Sequence, residues 1–174
     1  MKRVLLSLLV IGLIGGTAPV WAQEALTDAK IVEIMKVANE GEVDLAKTAK
    51  SKAENKDVKE FAKKMIDEHK KNEKEVKEAA KKAKVKHEDS AQSKDIEKTA
   101  KAKRDELKKL KGKEFDKAYI DQQISMHQQL LDDLNTKLIP AAQSPDVKSY
   151  LEATKTHVQE HLSRAQAIQT SLSQ

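Results

Sequence analysis

The sequence contains no cysteine and few aromatic residues, and each scarcity excludes a class of function. Without cysteine the chain can form no disulfide bond, attach no c-type haem covalently and carry no lipid on a cysteine. Aromatic residues make up 3% of the 174 residues, and they do not alternate with basic residues. Base stacking by aromatic side chains, which holds single-stranded nucleic acid in many proteins, is therefore not expected.

Charged residues are abundant, but neither sign prevails. The chain has 33 lysines and arginines against 28 aspartates and glutamates, for a formal net charge of +5 at pH 7. The two signs are interspersed, which is typical of the solvated face of a helix and unlike the basic groove of a nucleic-acid-binding protein. We therefore expect no nucleic-acid partner.

Long apolar runs are absent except at the start of the chain. Lys2 and Arg3 precede the run VLLSLLVIGLIGG, and Val20 and Ala22 stand at the −3 and −1 positions of a small-residue cleavage site. The run is shorter than the roughly 20 residues of a membrane-spanning helix. This layout therefore predicts a cleaved signal peptide over residues 1–22.

The part that follows the predicted cleavage point, residues 23–174, has a size that suits one domain. No second apolar run follows that would insert stably in a membrane. The layout of the signal peptide is typical of bacterial export. We therefore expect the protein in the periplasm, and peripheral association with the outer membrane is compatible with that location.

Apolar residues recur every three to four positions after residue 22, which is the spacing of amphipathic helices. Four helical segments can be separated. Thr27 and Asn55 are N-cap residues of the first two, and Ser144 followed by Pro145 starts the last. Gly112 interrupts the third, as a C-cap or a kink. The pattern predicts an all-α fold, an up-and-down four-helix bundle whose third helix is broken near Gly112.

The apolar stripe of each helix carries one residue of metal-ligand type near its middle. These residues are Glu42, His69, His127 and His161. Midpoints of adjacent helices in an up-and-down bundle meet at similar heights, so the four side chains can converge. One carboxylate and three imidazoles are suitable ligands for a single transition-metal ion, such as zinc, iron, copper or manganese.

Two further residues lie close to this predicted metal site. His157 stands one helical turn before His161, and Glu73 stands four residues after His69 on the same helix. Both positions are also compatible with plain surface charge. They are therefore additional candidates, and the first four residues form the predicted ligand set.

The same polar residues fit a second interpretation, without metal. Buried neutral histidines and Glu42 can form a hydrogen-bonded network, with Tyr119 as a donor to the carboxylate. Such a chain would be a helical module for protein interaction or envelope maintenance, and its histidines would respond to acid. The sequence shows no catalytic triad or phosphate-binding loop, so an enzyme is not predicted. An oxidase-like metal centre and a non-covalent haem are the alternatives that the sequence leaves open.

Three stretches of the chain resemble one family of bacterial exported proteins. They are NEGEVDLAKTAKSKAENKDVKEFAKKMIDEHKKNEKEV, LKGKEFDKAYIDQQISMHQQLLDDL and SPDVKSYLEATKTHVQEHLSRAQAI. The family is grouped as domain of unknown function 4142, and the resemblance covers about residues 28–168. It implies a ferritin-like four-helix bundle in the periplasm or at the outer membrane, without an established activity. The positions that it singles out are Glu42, His69, His127 and His161.

The sequence lacks the di-iron motif of ferritin-like enzymes. That centre needs Glu-x-x-His on two helices, whereas Ile66, Ile124 and Val158 stand three residues before the three stripe histidines. We therefore expect neither ferroxidase chemistry nor iron storage. The predicted function is that of an exported ferritin-like bundle that binds one metal ion, for metal buffering or in a stress response. The sequence specifies no protein partner and no oligomeric state.

Overall fold

All regular elements in the described part of the chain are helical. The computed structural model describes residues 25–174. Its elements in chain order are α1 (Asp28–Lys52), α2 (Lys56–Ala83), α3 (Ala91–Lys109), α4 (Gly112–Asp133), a π-helical turn (Leu134–Leu138), α5 (Ile139–Ala141) and α6 (Pro145–Leu172). The predicted all-α helical bundle is confirmed. The predicted signal peptide, residues 1–22, lies outside the described residues.

Local sequence explains where the helices begin. The Thr27 hydroxyl accepts a hydrogen bond from the first turn of α1. Asn55 Oδ1 accepts from the backbone amide of Asp57 at 2.8 Å, and α6 begins at Pro145 directly after Ser144. Each of these helix starts was predicted from the sequence. Within residues 25–174, no helix combines the length and the apolar character needed to cross a membrane.

The predicted break near Gly112 is confirmed, and it is a full reversal of the chain. The backbone amide of Glu88, just before α3, donates to the carbonyl of Ala29 at the start of α1 (3.3 Å). At the other end, the Lys52 ammonium of α1 donates to the carbonyl of Lys108 in α3. α3 therefore runs alongside α1 in the same direction. Gly112 has φ +55°, a left-handed conformation that glycine adopts without strain.

Because the chain reverses there, the described residues form five long helices where four were expected. α3 packs on α1, α1 on α2, α2 on α6 and α6 on α4, whereas α3 and α4 touch each other little. The bundle is therefore closely packed on all sides except between α3 and α4. This opening leads towards buried polar side chains in the middle of the bundle.

Two aspartates tie the turns at opposite ends of the bundle. The Asp116 carboxylate, at the start of α4, accepts from the backbone amides of Glu54 (3.1 Å) and Asn55 (2.8 Å) in the α1–α2 turn. The Asp28 carboxylate accepts from the amides of residues 143–144 in the same way, at 2.9 and 2.8 Å. These bonds satisfy turn amides that no helix can pair, and they fix the relative height of α1, α4 and α6.

The core consists of two apolar clusters with a polar layer between them. One cluster, which includes Phe61 and Phe115, lies at the end that holds the α1–α2 turn. The other, which includes Ile31 and Leu151, lies at the opposite end. Between them lies a set of buried polar side chains, called the polar layer below. Its members are Asn39, Glu42, His69, Asn72, Gln123, His127, Thr154 and His161.

α3 approaches α1 closely at Gly41. A Cβ atom added at this glycine would lie 2.8 Å from the Cβ of Ala100, which is too close for two carbon atoms. The glycine therefore permits the contact between the two helices. α3 thereby forms an outer wall beside the polar layer.

Candidate metal site

Three histidines of the polar layer meet in the middle of the bundle. His69 of α2, His127 of α4 and His161 of α6 each offer one ring nitrogen, and these atoms lie within 4.8 Å of one another. The three residues are buried, with 6%, 2% and 3% of their surface exposed. The structure thus brings together three of the four residues of the predicted ligand set.

Two of the ring nitrogens face each other at short range. His127 Nε2 and His161 Nδ1 lie 3.3 Å apart. Two imidazole ligands of one tetrahedral metal ion, with bonds of 2.0–2.1 Å, would place their nitrogens about 3.3 Å apart. The alternative is an N–H···N hydrogen bond, which requires a proton on one of the two nitrogens. The contacts on the opposite side of each ring decide between these arrangements.

The opposite nitrogens of these two rings donate to acceptors. His127 Nδ1 lies 2.8 Å from the carbonyl oxygen of Gln123. A carbonyl oxygen has no proton to give, so Nδ1 carries the hydrogen. His161 Nε2 likewise donates to the Glu68 carboxylate. In the neutral rings, His127 Nε2 and His161 Nδ1 are therefore both unprotonated and hold lone pairs.

His69 follows the same rule. Its Nδ1 lies 2.8 Å from Asn39 Oδ1, which accepts the proton. Its Nε2 is buried and has no hydrogen-bond partner among the described residues, although a buried polar atom without a partner costs stability. All three histidines thus donate one N–H to a fixed acceptor and keep the other nitrogen free. This is the arrangement by which proteins orient metal-binding histidines.

The electrostatic environment favours the neutral form of His69 and of His161. Burial lowers the pKa of His69 well below its ordinary value, and the neighbouring His127 and His161 lower it further. Burial also lowers the pKa of His161, although the hydrogen bond to Glu68 opposes this effect. Burial alone would raise the pKa of Glu68, but hydrogen bonds from Lys64 and His161 outweigh it and the pKa lies below its ordinary value. Neutral imidazoles are the form that binds a metal ion.

Glu42, the fourth residue of the predicted ligand set, lies beside the three histidines and is not one of the residues that meet. It is buried, with 6% of its surface exposed. Its Oε2 accepts from Gln123 Nε2 at 2.9 Å, and it lines the same cavity as the histidines. The Tyr119 hydroxyl, considered above as a donor to Glu42, has no hydrogen-bond partner among the described residues.

The two additional candidates also lie outside the cluster. The His157 side chain is 46% exposed, and its Nδ1 lies 3.8 Å from the Glu160 carboxylate, although it lines the edge of the cavity. Glu73 forms an ion pair with Lys77 on the surface of α2. Neither residue belongs to the group whose nitrogens meet. Both are suitable positions for control substitutions.

A cavity of about 480 Å³ adjoins the three histidines. Its walls come from all five long helices, and it lies where α3 and α4 pack loosely. Thr99 of α3 and Gln129 of α4 line the cavity and are also exposed at the surface. The cavity therefore connects the buried histidines with solvent, which gives an ion a route to them.

Asn39 and Glu68 contact the histidines and were not predicted as site residues. Asn39 lies on the inward stripe of α1, three residues before Glu42, and a polar residue on that stripe was a usable signal. Glu68 directly precedes His69 in a helix that carries many other glutamates. Nothing in the sequence distinguishes it from them, because its role depends on the position of α6.

A family model matches residues 16–168, and its description is Domain of unknown function (DUF4142). The chain belongs to this family. The resemblance inferred from the sequence is thereby confirmed. No curated protein matches this DUF4142 chain.

The solved structures add one informative similarity for the DUF4142 chain. It is to "CopM in the Cu(II)-bound form", with 18% sequence identity and a TM-score of 0.64. The alignment covers 84% of this chain and 97% of that chain. At this level of identity the similarity establishes the helical fold alone.

Proposed function

We propose that this DUF4142 protein binds one transition-metal ion through His69, His127 and His161. The observation that carries the proposal is the convergence of three unprotonated ring nitrogens, each with its other nitrogen fixed by an acceptor. The unpaired Nε2 of His69 supports it most directly. Without a bound cation, a buried lone pair at this position loses its hydration and gains no partner, which lowers the stability of the folded protein.

Copper is the metal that we propose first. Imidazole ligands suit copper, zinc and iron, and divalent copper binds most strongly to a given set of nitrogen ligands. The fold is similar to that of CopM, whose structure is described in a Cu(II)-bound form. This likeness supports copper as the first metal to test, with zinc, iron and manganese as the comparison set.

We assign Glu42 the role of a counter-charge. Three neutral imidazoles leave the full charge of a divalent ion uncompensated, and a carboxylate in the same cavity reduces that charge. The only donor contact described for the Glu42 carboxylate is the neutral amide of Gln123. A nearby cation would therefore stabilise this buried charge as well.

The proposed role is metal buffering or sequestration in the bacterial periplasm by an exported, ferritin-like bundle. The predicted signal peptide supports the location, and the cavity that leads from the surface to the histidines supports reversible loading. The three histidines are the one group of metal-ligating side chains found among the described residues, and the sequence shows no catalytic triad. We therefore propose a binding protein and not an enzyme.

The test is the metal content of tag-free protein after dialysis against copper, zinc, iron or manganese salts. We expect one ion per chain, with copper retained most strongly. His69→Ala, His127→Ala and His161→Ala should each lose most of the bound metal. His157→Ala, on the same helix as His161 but exposed, should retain it. Equal metal content in the wild type and the triple alanine variant would exclude the proposal.

A metal-free role as an interaction or envelope-maintenance module is the second candidate. The hydrogen-bonded polar layer favours it, because such networks also occur where they only specify packing. This candidate predicts that none of the four metals changes the unfolding temperature of the protein.

A further inference from the structure

We propose that Asn39 is a positioning residue, which holds His69 in the tautomer with the proton on Nδ1 and so leaves Nε2 free to bind the ion. The consequence for metal binding depends on the function proposed above. The tautomer itself is a property of the metal-free protein and can be measured without any metal.

The backbone of α1 fixes the orientation of the Asn39 amide. Asn39 Nδ2 lies 2.8 Å from the carbonyl oxygen of Met35, one turn earlier in the helix. Because that oxygen can only accept, the amide nitrogen must face it. Asn39 Oδ1 is therefore the atom that faces His69 Nδ1 at 2.8 Å, and an oxygen at this place requires a proton on the ring nitrogen.

A second set of contacts keeps the Asn39 side chain in place. Its Nδ2 also donates to Asn72 Oδ1 at 2.9 Å, and the same oxygen accepts from the Tyr150 hydroxyl at 2.6 Å. Asn72 Nδ2 in turn donates to Thr154 Oγ1 at 2.9 Å. The chain of bonds joins α1, α2 and α6 inside the bundle. All four residues are buried, so water cannot easily replace these partners.

Asn39 differs from the acceptors of the other two rings. His127 donates to a backbone carbonyl and His161 to a charged carboxylate. For His69 the acceptor is a neutral side chain, which a substitution can remove without introducing or deleting a charge. If His69 carried its proton on Nε2, the cluster would offer two lone pairs in place of three. Metal binding would then first require the proton to move.

The experiment is to assign the His69 tautomer in metal-free protein by nitrogen-15 NMR and to titrate the same samples with copper(II). In the wild type we expect the proton on Nδ1. Asn39→Leu removes the acceptor, and it should produce a mixture of tautomers and lower the copper affinity by roughly ten- to hundredfold. Asn39→Asp restores an acceptor, so it should restore the Nδ1 proton and part of the affinity.

Tyr150→Phe is the matched control. It removes the hydrogen bond from the Tyr150 hydroxyl to Asn72 in the same buried network but leaves both contacts of Asn39 Nδ2 in place. It should therefore lower stability while it leaves the tautomer and the copper affinity close to those of the wild type. Wild-type His69 with its proton on Nε2 would overturn the proposal, and so would an unchanged tautomer in Asn39→Leu. If the wild type shows the expected tautomer but binds no copper, the proposed function fails while the role of Asn39 in setting the tautomer is supported.

Discussion

His127 Nε2 and His161 Nδ1 lie 3.3 Å apart in the centre of the bundle, and each ring donates its remaining proton to an acceptor on its far side. Two lone pairs that face each other at this distance repel one another when no proton or cation lies between them. The bundle therefore holds these two rings in an arrangement that a bound cation would stabilise.

A metal ion should stabilise the folded protein. A ligand that binds the folded state alone adds about 2.7 kcal/mol to the free energy of unfolding at a concentration one hundred times its Kd. For a chain of this size, that corresponds to a rise of roughly 5–10 °C in the unfolding temperature. Thermal unfolding followed by circular dichroism with and without copper(II) measures the effect. If copper(II) raises the unfolding temperature equally in the variant that lacks all three histidines, the stabilisation comes from copper bound at other sites.

Replacing Glu68 should weaken metal binding without removing a ligand. The Glu68 carboxylate accepts the His161 Nε2 proton, and loss of such a partner typically lowers metal affinity ten- to hundredfold. We expect a decrease of this size for Glu68→Ala, which removes the acceptor, in a competition titration with a chelator. Glu73→Ala is the control, because Glu73 lies on the same helix and pairs with Lys77 at the surface. Equal losses in both variants would contradict the orienting role of Glu68.

The stability of the metal-free protein should fall in mild acid. The pKa values of His69 and His161 lie below their ordinary value in the folded state, whereas in the unfolded chain they return to about 6.5. Below that pH the unfolded state binds more protons, so the free energy of unfolding decreases as the pH falls. Above about pH 6.5 the two rings are neutral in both states, so they no longer make the free energy of unfolding depend on pH.

Urea unfolding between pH 5 and pH 8 measures this dependence. The midpoint should be constant near pH 8 and should move to lower urea concentration below about pH 6.5. A variant with His69→Ala and His161→Ala should show a smaller change over the same range. A wild-type midpoint that does not change between pH 5 and pH 8 would show that the two rings are not buried as neutral groups.

Gly41→Ala should loosen the contact between α1 and α3. Alanine favours a helix over glycine by about 1 kcal/mol, but the new Cβ would lie 2.8 Å from the Ala100 Cβ, and overpacking costs about 1–3 kcal/mol. We expect a net loss of roughly 1 kcal/mol in urea unfolding. A double variant that adds Ala100→Gly should show a favourable coupling energy between the two sites. A Gly41→Ala variant with a higher free energy of unfolding than the wild type would show that α3 can shift away from α1 without destabilising the protein.

The sequence predicted most of the fold because its local signals agree with the packing. Thr27, Asn55 and Ser144 mark helix starts that the structure contains. Gly112 indicated a break in the third helix. It could not show whether the helix bends there or ends and the chain reverses, since a glycine is compatible with both. The reversal depends on α3 packing on α1, a long-range contact that an apolar stripe does not specify.

The site was predictable only in part, for a similar reason. The positions of His69, His127 and His161 on inward stripes indicated that they could meet. The stripe of α1 also carried Glu42, but a stripe does not specify whether a side chain reaches the centre or stops at a neighbour such as Gln123. The residues that orient the rings come from other helices, so spacing along one helix does not reveal them.

X-ray absorption of the copper-loaded protein counts the histidines bound to the metal, because imidazole rings give a characteristic scattering. A site formed by His69, His127 and His161 should hold one copper ion per chain with three imidazole ligands at about 2.0 Å. One imidazole contribution should be lost in His69→Ala, and the spectrum of His157→Ala should be unchanged. A spectrum with no imidazole ligands, or one that is the same in the wild type and in His69→Ala, would rule out this site.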